Sequence, residues 1–230
     1  MEQEPTTPRR LARVIGMLVG PIAMLALLVP TRRGRVVRHA LGMRTAQDPA
    51  RRARHARAAL AAFEAAERRH PGRRSGVRRQ LRRAANLPDI AEASLEAGEL
   101  GRAAAYADEM LARGMGPVAP WDWNGGNLVH HGHVTLGRLA LIAGDLDAAE
   151  EHLRLAGSTH GSPQLDSFGP DFHLANELLA RGRTESVLEY LDLCRRFWTL
   201  GHDALDGWTA ELRAGRRPVL REFGIDPDDD

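Results

Sequence analysis

Three stretches between residues 87 and 198 follow one grammar, and that repetition constrains the fold more than any other feature of the chain. Each is built around a glycine-led turn: Gly98-Glu99-Leu100, Gly144-Asp145-Leu146 and Gly182-Arg183-Thr184. Eight and seven residues before each glycine come a large apolar residue and a small one: Ile90-Ala91, Leu136-Gly137 and Leu174-Ala175. Five residues after it stands Ala103, Ala149 or Val187. A helix–turn–helix unit of this kind has one apolar face that it cannot bury by itself, so tandem copies stack. The expectation is an all-α scaffold that displays a surface.

Composition agrees. A chain of 230 residues is long enough for a sizeable core. Aromatic residues make up only 5%, while alanine and leucine are plentiful, which suits helices packed closely through small side chains. A single cysteine, Cys194, excludes an intramolecular disulfide and any cysteine-rich metal motif. All 32 basic residues are arginine. The formal charge of +2 conceals a division: residues 1–86 hold 20 arginines against 5 acids, and residues 87–230 hold 12 against 25. Such asymmetry points the first segment towards an anionic neighbour.

Residues 1–42 comprise a polar tail and an apolar run, 14–29, interrupted by Gly20-Pro21 and flanked by arginines. Sixteen residues fall short of the roughly 20 that span hydrocarbon. Leu28-Val29-Pro30 offers no small-x-small signal-peptide cleavage site. The run reads as a short kinked anchor that keeps the rest of the chain on the cytoplasmic face of a membrane. The alternatives are an interfacial or packed segment and translation starting at Met43. Residues 43–85 form a basic helical region. It has a helix over 49–70 with an apolar stripe of Ala59, Leu60, Ala62 and Phe63, then a break at His70-Pro71-Gly72. The arginines from Arg73 to Arg83 follow, with a helix over 77–86. They suit an anionic membrane surface. Contact with nucleic acid is the weaker reading, because no aromatic residues interleave with them to stack bases.

The repeats occupy residues 86–216, and 217–230 is an acidic tail. Helical pairs are expected over 88–97 and 101–113, 127–143 and 146–156, and 171–180 and 184–200, with Pro88 in a first turn. A last helix over 203–214 places Leu205, Trp208 and Leu212 on one stripe, as a cap. Two connections, 114–126 and 157–170, are long for such an array.

These residues resemble the tetratricopeptide repeat. Its signature joins the apolar–small pair, the Gly-Asp or Gly-Glu turn and the small residue to two further core positions. Here those are Ala107 and Met110, Leu153 and Ala156, Leu191 and Cys194. The third unit departs at Arg183, and the turns lie 46 and 38 residues apart against about 34 in that family. The resemblance implies a tetratricopeptide-like stack of three helix–turn–helix repeats with a C-terminal capping helix. It also implies a concave groove lined by Glu92, His131, Arg138 and Asn176, which would take a peptide or protein partner. Residues 127–144, 162–170 and 187–198 also resemble segments of a bacterial repeat family that brings no assigned activity with it. His133 there stands in place of an asparagine.

The remaining candidates are local. His130 and His133 share a helical face, with Asn127 one turn earlier: one histidine packs at the helix start while another lines a groove, or, as the weaker reading, the pair holds a metal with a third ligand from His160, Asp166 or Asp171. The 162–170 connection, with Gln164 and Asp166, either binds or packs: Leu165 and Phe168 would plug a seam while Gln164 and Asp166 cap helix ends. Trp121 and Trp123 cover a repeat edge or anchor a partner. Cys194 falls at a core position. No phosphate loop, nucleophile elbow or His-Glu-x-x-His motif is present, so no cofactor or catalytic residue is implied. The leading reading is a non-catalytic interaction scaffold. Its rivals are a metal- or small-ligand-binding protein, with hydrolysis as an option, centred on His130, His131 and the 162–171 loop, and a nucleic-acid-associated protein using Arg73 to Arg83.

Overall fold

A computed structural model describes residues 48–68, 76–116 and 124–221. Residues 14–29, Arg73, Arg74, Trp121 and Trp123 lie outside this set. Every regular element among the described residues is helical, so the all-α expectation holds. None of their helices is long and apolar enough to cross a membrane. The chain divides into two compact units, Met1–Pro71 and Gly72–Asp230.

The first unit contributes α1, Pro49–Arg68. Asp48 starts it: its carboxylate accepts from the backbone N–H groups of Ala50 (3.3 Å) and Arg51 (2.9 Å), and Pro49 takes the first helical position. Ala56, Ala59, Leu60 and Phe63 are buried in one stripe.

In the second unit, α2 runs without interruption over Gly76–Glu96, with Pro88 inside it. The expected break before Pro88 is corrected. Proline forfeits one backbone hydrogen bond there, but Leu87, Ile90 and Ala91 around it all enter the core, and continuing the helix is what buries them together. Helix α3 covers Leu100–Gly114, α4 Gly125–Ala143 and α5 Leu146–Gly157. The 157–170 connection is not bare loop. It holds α6, Pro163–Phe168, capped by Ser162, whose Oγ accepts from Leu165 N–H at 3.2 Å. Helices α7 (His173–Leu179) and α8 (Thr184–Cys194) form the last pair, both shorter than expected. A 3-10 turn, Thr199–Gly201, leads to α9, His202–Arg213.

The repeated grammar is a repeated geometry. Gly98, Gly144 and Gly182 adopt φ of 79°, 83° and 77°, a left-handed conformation that side chains resist. The residue after each reaches back five positions with its N–H: Glu99 to Ser94 (2.8 Å), Asp145 to Ala140 (2.9 Å) and Arg183 to Leu178 (3.0 Å). Each helix end is thereby closed in the same way, and the next helix starts two residues after the glycine. At the divergent third turn Arg183 ion-pairs with Glu150 (2.7 Å) and Asp147 (3.3 Å) on α5.

The second helices bury Ala103, Ala107 and Met110, Ala149, Leu153 and Ala156, and Val187, Leu191 and Cys194 completely. In the first helices the paired positions are also buried, except Leu136, which is half-buried against a smaller cluster of Leu87, Ala91, Ala107, Met110 and Leu128. The larger cluster joins α4 to α9 around Leu153, Leu174, Tyr190 and Trp198. Helix α4 packs against α2, α3, α5 and α7, and α9 closes the end with Leu205 and Leu212 buried and Trp208 partly so.

Candidate functional site

The site grows from His130, which is completely buried on α4. Its Nδ1–H donates to the Ala156 carbonyl at 3.1 Å, and its Nε2 accepts from the Asp171 backbone N–H at 3.0 Å. A carbonyl only accepts and an amide only donates, so the ring is held neutral in one tautomer. Burial, and then the neighbouring His131, push its pKa down to about 4. His130 therefore ties α4 to the end of α5 and to the segment ahead of α7, and neither ring nitrogen is left for a metal. His133 is directed elsewhere: its Nδ1 lies 3.2 Å from Nδ1 of His152 on α5. His130 and His133 therefore form no chelating pair. Among the described residues no group of three or more His, Cys, Asp or Glu side chains is arranged to hold a metal ion.

The 162–170 segment serves the same end. Gly161 just before it and Gly169 within it both have positive φ, and a Cβ on Gly161 would meet the Phe197 Cβ at 2.5 Å while one on Gly169 would meet the Trp198 ring at 2.8 Å. Asp166 Oδ1 accepts from the Thr199 N–H (2.9 Å) and hydroxyl (2.7 Å), which caps the 3-10 turn. Leu165 is buried as expected, whereas Phe168 is exposed and plugs nothing. Gln164 caps no helix end; its Oε1 is enclosed without a hydrogen-bond partner. This lock sets Asp171, whose carbonyl accepts from the buried Tyr190 hydroxyl at 3.0 Å.

The Asp171 side chain opens a charged face across the first helix of each pair. Its Oδ1 accepts from both Nδ1–H and backbone N–H of His173, each at 2.8 Å, and Oδ2 lies 3.6 Å from His131 Nδ1. Burial alone would raise this carboxyl; the charge of His173 and the hydrogen bonds from His131 and His173 hold it well below the ordinary range. In return the Asp171 carboxylate raises His173 to about 9. Glu92 on α2 approaches His173 Nε2 at 4.0 Å. Arg138 on α4 bridges Glu96 of α2 and Glu177 of α7, each at 2.9 Å. Its guanidinium is desolvated, yet these carboxylates raise its pKa.

The structure thus brings together Glu92, His131, Arg138 and Asp171, with His130 beneath them. Asn176 shares α7 with His173 and Glu177, and both polar atoms of its amide engage the backbone of Leu220: Nδ2 donates to the carbonyl at 2.9 Å and Oδ1 accepts from the N–H at 3.0 Å. Asn127 stays at the start of α4, where it donates to Asn124 Oδ1 at 3.3 Å. Sequence reasoning missed Glu96, His173 and Glu177. The signal was there: Glu96 and Glu177 stand four residues after Glu92 and His173, on the same helical face.

Arg83 also changes role. It makes a two-pronged ion pair with Glu109 of α3 at 2.6 and 2.7 Å, which braces α2 on α3. The thiol of Cys194 is buried and pushed up by that burial, as its core position implied. Comparison with family models, with curated proteins and with solved structures gives no match to this chain.

Proposed function

We propose that the second unit is a tetratricopeptide-like interaction module that binds a peptide or protein partner on the face made by α2, α4 and α7, without catalysis. The observation that carries this reading is the segregation of side chains on those helices. Most of their apolar residues enter the core, while Glu92, His131, Asp171 and His173 make one polar network and Glu96, Arg138 and Glu177 a second on the same helices. Polar groups on one side of three stacked helices suit recognition of a polar backbone or of charged side chains. Hydrolytic chemistry is less well supported. A His173 raised to about 9 stays protonated at neutral pH and is a poor general base, and neither nitrogen of His130 is free to act as one.

The test is capture of synthetic extended peptides by the intact chain. Arg138 braces two helices, so the informative variants are His173→Ser and Glu177→Gln, with exposed Glu189→Gln on α8 as control. We expect at least tenfold weaker capture for the first two at a temperature where both remain fully helical, with the control unchanged. Equal capture by all three variants would remove this face from the function.

A further inference from the structure

We infer that residues 216–221 are an internal occupant of this groove, and that the partner they stand in for is an extended basic peptide with one large aliphatic side chain. This rests on the interaction-module reading above. Three observations carry it.

First, Asn176 engages a single backbone residue of this segment from both sides, as one strand engages another. It occupies the same register as Glu92 and Arg138, six residues before the turn glycine. Second, the segment is held as a bound peptide is, at one point, where Leu220 enters the larger apolar cluster. It belongs to no helix, and Leu220 is 2% exposed while its neighbour Val219 is 63% exposed. Arg216, Arg217 and Arg221 are also exposed, so one aliphatic side chain anchors a solvated basic strand. The segment leaves α9 through exposed Gly215, at φ 75°, and the Arg216 N–H donates to the Glu211 carbonyl at 2.9 Å, which closes the helix end as at the repeat turns. Third, the charges are complementary. The face carries Glu92, Glu96, Asp171 and Glu177 against Arg138 and the protonated His173, and the segment is arginine-rich.

A tethered occupant this close to its site acts at an effective concentration on the order of millimolar. The intact chain therefore takes an outside peptide weakly until the segment is released. The experiment uses the full chain and a fluorescent peptide of sequence Arg-Arg-Pro-Val-Leu-Arg, with anisotropy as the readout. We expect Leu220→Asp to bind it at least tenfold more tightly than wild type. Asn176→Ala added to Leu220→Asp should reverse that gain, and a peptide with Asp in place of Leu should not bind. Should Leu220→Asp fail to fold, a protease site placed between Ala214 and Gly215 of the otherwise native chain gives the second route. Cleavage of folded protein should then release the segment, leave helicity intact and allow saturable rebinding.

Unfolding of the body on release would overturn the inference and make the segment part of the core. So would a peptide captured equally by wild type and Leu220→Asp, although that outcome leaves the groove standing. No capture by either protein removes both readings.

Discussion

A single buried imidazole shows how much one residue can organise. His130 meets the needs of two backbone groups that would otherwise be buried and unpaired, the Ala156 carbonyl and the Asp171 N–H. His130→Ala should remove both bonds and open a cavity, destabilising the chain by on the order of 3 kcal/mol or more in urea titration. A loss below about 1 kcal/mol would mean that the two groups find other partners. Glycines draw a similar contrast. A Cβ on Gly126 would overlap the backbone carbonyl of Gly161, which cannot yield as a side chain can, whereas Gly207 in α9 has nothing within 4 Å. Gly126→Ala should therefore be strongly destabilising. Gly207→Ala should stabilise by about 0.5–1 kcal/mol, because an exposed helix interior favours alanine. Thermal melts of the pair, run side by side, test the sign of each.

At the scale of the element, the turns are interchangeable in backbone and different in side chain. All three glycines are left-handed, so replacing any of them with alanine should lower stability by about 1 kcal/mol. The acid at the second turn adds something the others lack: Asp145 Oδ1 accepts from the Ala148 N–H at 2.9 Å, while Glu99 and Arg183 make no side-chain cap. Asp145→Ala should cost a further increment of about 1 kcal/mol, and Glu99→Ala should not. Equal losses in the two variants, measured by urea denaturation, would show that the cap contributes nothing. These turns were legible in the sequence because a left-handed position is a local demand that glycine alone meets freely. The ends of α2 and α8 were not. Pro88 looked like a helix start, and the helical pattern ran past Cys194, because burial of Leu87 and of Phe197 and Trp198 overrode the local signals.

For the whole molecule, the histidines oppose one another in pH dependence. His130 and His133 are depressed to about 4 from 6.5, chiefly by burial. The unfolded chain then binds their protons more readily. The stability they confer is complete above pH 6.5 and is lost progressively as pH falls towards 4. His173 is raised to about 9 by Asp171. Its contribution is complete below pH 6.5 and is lost as pH rises through 9. Stability should therefore peak near pH 6.5, and His173→Gln should flatten the alkaline limb while leaving the acid limb in place. Urea midpoints measured from pH 5 to 9 decide it, and a flat wild-type profile would sink the argument.

The amino-acid order was enough for the helical class, the three turns and most of the residues that enter the core, since each follows from contacts within a few positions along the chain. It also pointed to Glu92, His131, Arg138 and Asn176 through their register on the first helix of each repeat. What these side chains meet was settled by the stacking of the helices. His130 finds partners 26 and 41 residues away, and Asn176 finds Leu220 at a separation of 44. Pairings at such distances depend on which helices stack, and no local periodicity encodes that.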